Sequence, residues 1–124
     1  MSEPTPTARA VIEEFINSVW NKRDWDLAGQ LLAETVIRHD VGEAHALTRE
    51  QVRKGIKDLW AQFDTLHYDL HLVVADDELV TTLYDGTITK GGEEAHLAGT
   101  EVYRVVDGEI TEMWTCGDRP GHWL

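Results

Sequence analysis

The chain is short of three things. One cysteine, Cys116, stands among 124 residues, so no intrachain disulfide can form and an intracellular, cytoplasmic protein is the expectation. Lys and Arg number 11 against 23 Asp and Glu, a net charge of −12. Without clustered basic residues, nucleic-acid binding and attraction to an anionic membrane surface are excluded, and the acidity reads as a source of solubility. No apolar run approaches the roughly 18 residues of a membrane helix. The start, MSEPTPTARA, lacks a basic segment followed by an apolar one, so no secretory leader is expected. Repeats, low-complexity tracts and linkers are also missing. With 42% hydrophobic residues, one domain over 1–124 with a modest core is implied.

What is present is most informative from Gly99 to Asp118, GTEVYRVVDGEITEMWTCGD. Two β-rich runs flank Asp107-Gly108, a strong hairpin signal. A two-residue turn there sets Glu101 opposite Trp114, with Tyr103, Val105 and Ile110 on the same face. A carboxylate pressed against an indole on an apolar face is desolvated, which raises its pKa and suits it to carrying a proton. A bulge in either strand would exchange that strand's faces.

Upstream, residues 1–6 read as a frayed polar lead-in. Ala8, Val11, Ile12, Phe15 and Val19 recur at helical spacing over about 15 residues. Asp24 can cap a second helix carrying Leu27, Leu31 and Leu32. Thr35 to His39 reads as a short strand. Thr48 and Gln51 form a capping box, with Leu47 and Val52 as its staple, and Val52, Ile56, Leu59, Trp60 and Phe63 make one stripe of a third helix. From His67 the period changes to two, giving strands at about 67–75, 78–90, 94–106 and 109–117. Three helices before a long antiparallel meander predict an α+β fold, a cone-shaped barrel with helices packed on a curved antiparallel sheet and a pocket at its open end.

The helix–helix–strand–helix–meander order, the EVYRVVDGEITEMW segment and the aspartate after that strand resemble the nuclear transport factor 2-like superfamily, and within it the short SnoaL-like proteins related to polyketide cyclases. The resemblance runs from about Thr7 to Asp118. It implies the same fold and a small-molecule pocket, but its members' functions range over cyclases, isomerases, dehydratases, epoxide hydrolases and non-enzymes. The acid of the family's catalytic strand falls on Glu101 in EVYR. The isomerase base position, in His39-Asp40-Val41-Gly42, holds His39, and the isomerase tyrosine position holds Phe15. Half of that oxyanion hole is missing, so ketosteroid isomerisation by the family mechanism is not expected. Cyclases carry a histidine where this chain has Gly86-Thr87-Ile88.

The resemblance and the register together single out six residues. Glu101 is the proton carrier and His39 its partner. His71, Tyr84, Trp114 and Asp118 are the walls and orienting groups of the substrate site. Tight turns at Asp76-Asp77 and Gly91-Gly92 would align His71, Thr82, Glu101 and Trp114 in one row. Alternatively Glu101 is a solvated strand residue paired with Arg104 or Arg38. His67 and His71 stand about 13 Å apart on an extended strand and cannot share an ion, so metal dependence is not expected and no cofactor is implied. Trp60 reads as core, and Trp20 and Trp25 as packing around the first helix–helix turn. The expected partners are a small apolar organic molecule and a second copy of the chain, a homodimer burying Leu70, Leu72, Leu83, Val102 and Met113 on the face opposite Glu101. Two other readings stand beside this one. Glu101, Asp118 and Arg38 are the trio an epoxide hydrolase would use. An exposed Glu101, or a cavity plugged by Phe15, Trp60 and Phe63, would mark a non-catalytic ligand- or protein-binding module.

Overall fold

Thr7 starts the first helix, its hydroxyl accepting the Ala10 N–H at 3.1 Å. The computed structural model describes residues 4–124. The expected lead-in therefore lies partly outside the described residues, and Pro4 to Pro6 are exposed and irregular. Helix α1 (Ala8–Glu14) runs on as a π-helical stretch, Phe15–Trp20. The stripe Val11, Ile12, Phe15, Ile16 and Val19 is buried along both. Asn21 ties the end of this helix to the sheet: its amide donates to the Tyr68 carbonyl at 2.7 Å and accepts the Tyr68 N–H at 2.8 Å. Asp24 caps α2 (Trp25–Leu31) through the Leu27 N–H.

Two strands follow, β1 (Leu32–Asp40) and β2 (Glu43–Thr48), paired as a hairpin. β2 was not expected. It is mostly exposed, so it carries little alternating apolar signal. Helix α3 (Arg49–Trp60) opens with the expected capping box, Thr48 and Gln51 bonding each other's backbone N–H at 2.8 and 3.1 Å. The meander is β3 (Thr65–Asp76), β4 (Leu79–Lys90), β5 (Glu93–Val106) and β6 (Glu109–Thr115), with a short β7 (Arg119–Pro120) beside β5.

Strand order is β2-β1-β6-β5-β4-β3. The sheet is mixed rather than antiparallel throughout, because β1 lies parallel to β6. β1 and β6 are joined through α3 and the whole meander, so no hairpin forces them to oppose each other. The sheet curves without closing, and the first helix packs into its concave side against Val80, Tyr103 and Val105. This is the cone-shaped α+β arrangement that the element order implied. Among the described residues no helix is long and apolar enough to cross a membrane.

Thr48→Ala leaves the Gln51 N–H without its cap and is expected to lower stability by about 1 kcal/mol in urea unfolding, with Thr48→Ser close to wild type. Equal stability of all three would show that the capping box contributes nothing.

Candidate active-site cavity

Side chains alternate across each strand, so register decides which of them reach the concave side. The Gly91-Gly92 turn pairs Thr82 with Glu101 as expected. The β5–β6 pair does not follow expectation. Past Val105–Ile110 the next partners are Arg104 and Glu112, so Thr111 is an extra, bulged residue. Glu101 therefore faces Thr115, and Trp114 pairs with Val102 on the outer face.

Helices and sheet enclose a cavity of about 420 Å³ bordered by Glu101, Tyr84, Tyr68, Tyr103, Arg38 and Asp118. Apolar walls come from Phe15, Ile16, Val52 and Ile56. Of Phe15, Trp60 and Phe63, Phe15 alone borders the space, so the cavity is not plugged. Glu101 accepts the Tyr103 hydroxyl proton at 2.9 Å. Burial pushes the Glu101 carboxyl above its ordinary range. The Tyr103 hydrogen bond and the Arg38 charge pull against that push, and Asp118 adds to it. Burial likewise raises Tyr68, Tyr84 and Tyr103, with the Glu101 charge contributing, so all three hydroxyls keep their protons.

Two glycines make room for the tyrosines. A Cβ on Gly99 would stand 2.5 Å from the Tyr84 hydroxyl, and one on Gly86 would stand 2.9 Å from the Tyr68 ring. Each ring lies across a neighbouring strand's bare backbone. Behind this wall the Trp123 indole N–H donates to the Tyr84 and Gly99 carbonyls at 3.1 and 3.3 Å. Sequence reasoning passed over Tyr68 and the role of Trp20, which borders the cavity rather than only packing at the helix turn. The period-two pattern of β3 carried the signal for Tyr68. Tyr103, two residues from Glu101 on one strand, was already on the right face.

Glu101, Tyr84 and Asp118 thus border one cavity, Asp118 from the exposed segment after β6. His39, His71 and Trp114 do not border it, and their expected places are corrected. His39 points to the outer face because β1 alternates beside β6. It stacks on Trp114 with centroids 4.9 Å apart, and its Nε2 lies 2.6 Å from Glu112. Both line a shallow outer depression that touches residue 101 from behind. His71 falls in a bulge of β3, and the turn closes one residue later than expected. Val73 therefore takes the place beside Thr82, while His71 sits 3.5 Å from Asp85. The same parities turn Leu70 and Met113 inward. Leu72 and Val74 remain exposed on the outer face beside Leu83, Val102 and Trp114. Among the described residues, Asp40, Glu43 and His45 bring donor atoms close enough to hold a metal on the β1–β2 hairpin, although Arg38 already lies 3.3 Å from Asp40.

The profile of the SnoaL-like domain matches residues 12–113, and the chain belongs to that family, within the nuclear transport factor 2-like fold. Among solved structures it is similar to an assigned polyketide cyclase from Acidithiobacillus ferrooxidans (20% identity, 91% of this chain and 89% of that one, TM-score 0.77). It is also similar to a SnoaL-like polyketide cyclase from Agrobacterium tumefaciens (13%, 94% and 92%, 0.76). A third is an epoxide hydrolase of the LEH-like type from M. tuberculosis (19%, 92% and 82%, 0.73). At these identities the likeness is one of fold. No curated protein sequence matches the chain significantly.

Above its ordinary value near 4.5 the Glu101 carboxyl is still protonated in the folded chain and already ionised in the unfolded one. Folding then binds a proton, so this group's contribution to stability falls as pH rises through that window. Glu101→Gln cannot ionise. In urea unfolding it should match wild type below about pH 4.5 and gain on it as pH rises from there toward the raised folded-state value. A difference independent of pH would show that Glu101 is solvated.

Proposed function

We propose that this protein binds a small, mainly apolar organic molecule in the cavity and that Glu101 carries a proton for it, in chemistry such as cyclisation, isomerisation or dehydration. The observation that supports this is a carboxyl with a raised pKa on the wall of a largely apolar cavity, held by a tyrosine hydroxyl. A neutral carboxyl can give its proton to a carbonyl or hydroxyl oxygen of the guest and take one back from carbon or water. Tyr84 and Tyr103 fix the carboxyl and stay neutral beside it. Asp118 stands where the guest enters.

Gly55 on α3 borders the cavity, and a Cβ there would meet no atom of another residue within 4 Å beyond its own helix. Gly55→Phe should therefore fill the space without straining the fold. The wild type is expected to bind 2-naphthol saturably, read by tryptophan fluorescence, and Gly55→Phe to weaken it at least about tenfold at unchanged stability. Equal binding by both proteins, or none by either, would overturn the cavity reading.

Glu101, Asp118 and Arg38 on one cavity also favour a second reading, in which they position a water that opens an epoxide to a diol. Turnover of styrene oxide to its diol, lost in Glu101→Gln, would decide for it.

We further propose a homodimer that buries the outer apolar face of Leu72, Val74, Leu83, Val102 and Trp114. Sedimentation at micromolar concentration is expected to give twice 14.0 kDa, and Val102→Lys to give the monomer. A wild-type monomer would refute this assembly.

A further inference from the structure

The cavity wall carries more than one acid and an unusual set of rings. Taking the small-molecule reading of the cavity as its ground, we infer that the guest is an organic cation, an apolar molecule whose head is a protonated amine or a quaternary ammonium group. Trp20, Tyr68 and Tyr84 all border the cavity. Tyr68 stands edge-to-face with both others, centroids 5.3 Å apart in each pair and planes at 88° and 86°. Rings set at right angles both show their edges only along the line where their planes cross, so a guest anywhere else among them meets a ring face. That face is the negative side of the ring quadrupole and attracts a cation, more strongly where water is excluded.

The charges point the same way. Glu101, Asp58 and Asp118 border the cavity, and Arg38 is the one Lys or Arg among its described lining residues. Arg38 is turned to Asp40 at 3.3 Å, while Asp58 is shared with Lys54 at 2.6 Å. An anionic guest would face two or three carboxylates here, and the chain's net charge of −12 repels anions on approach and draws cations. A neutral guest gains nothing from this excess of acids.

Binding is coupled to the proton on Glu101. In the empty cavity burial favours the neutral acid. A cation beside it favours the carboxylate, so a quaternary head expels that proton to solvent. An amine that arrives neutral takes the proton itself, leaving an ammonium–carboxylate pair and changing no other bond. The charged and titratable groups about Glu101 are Arg38 of β1, Tyr68 of β3, Tyr84 of β4, Tyr103 of β5 and Asp118 after β6, and Asp58 of α3 borders the same cavity. Of these the three tyrosines stay neutral at working pH.

Two probes of one shape and different charge test this: 3-hydroxyphenyltrimethylammonium and its neutral isostere 3-tert-butylphenol, titrated calorimetrically into the full chain at pH 6 and pH 8. The cation is expected to bind about tenfold tighter than the phenol at pH 8, the ratio narrowing at pH 6. Glu101→Gln and Trp20→Leu should each lower the ratio. Proton release, read as a dependence of the heat on buffer ionisation enthalpy, should accompany the cation alone. A phenol that binds as tightly as the cation overturns the inference and leaves the cavity reading standing. Failure of both probes to bind overturns the two together.

Discussion

Between Arg104 and Val105 the β5–β6 ladder takes in Thr111 as an extra residue, and the pleat's period of two turns that slip into an exchange of faces along the rest of β6. The Thr111 hydroxyl, 3.4 Å from the Arg104 carbonyl, marks the place. Everything downstream depends on it. Met113 and Thr115 turn to the cavity, Glu112 and Trp114 turn away, and β1, laid parallel along β6, follows with Arg38 inward and His39 outward. One inserted residue thus separates an acid-and-tyrosine interior from a histidine–indole pair on the back of the sheet.

The interior so built contains a conflict. Burying Glu101 disfavours its charged form, while the Tyr103 hydroxyl and the Arg38 guanidinium favour it. Burial wins, because one neutral donor and one half-solvated cation replace less than the full hydration of a carboxylate. The arrangement also needs bare backbone. Tyr84 and Tyr68 reach their positions over Gly99 and Gly86, where any Cβ would meet ring atoms closer than 3 Å. These two glycines sit inside strands, where they weaken packing, and their occurrence there is explained by the rings that cover them.

The sequence was legible wherever a local rule decides the structure. The Thr48 capping box, the Asp24 cap and the Asp107-Gly108 and Gly91-Gly92 turns carry their own chemistry, and each is where the residues imply. The parity of Glu101 with Thr82 and Tyr103 followed from the second of those turns. What was not legible is what sheet curvature imposes. The bulges at His71 and Thr111 have no glycine or other turn residue to announce them; the one at Thr111 moves Trp114 off the expected row, and His71 leaves it because the β3–β4 turn closes one residue later than Asp76-Asp77 implied. β2 escaped for another reason: a solvated edge strand has no buried face and so leaves little periodic trace.

The two faces of the cavity divide the work unevenly. On the helix side Phe15 is 1% exposed and edge-on to Tyr103 at 6.2 Å. It offers no hydrogen bond, and its neighbours Ile16, Val52 and Ile56 offer none either. The sheet side carries Tyr84, Glu101 and Tyr103, with Asp118 following β6, while α3 adds Gln51 and Asp58 to the lining. The wall around Phe15, Ile16, Val52 and Ile56 is thus apolar, and the wall on β4 and β5 is polar. The Tyr103 hydroxyl proton is already committed to Glu101, so the two side chains form one hydrogen-bonded unit on that wall.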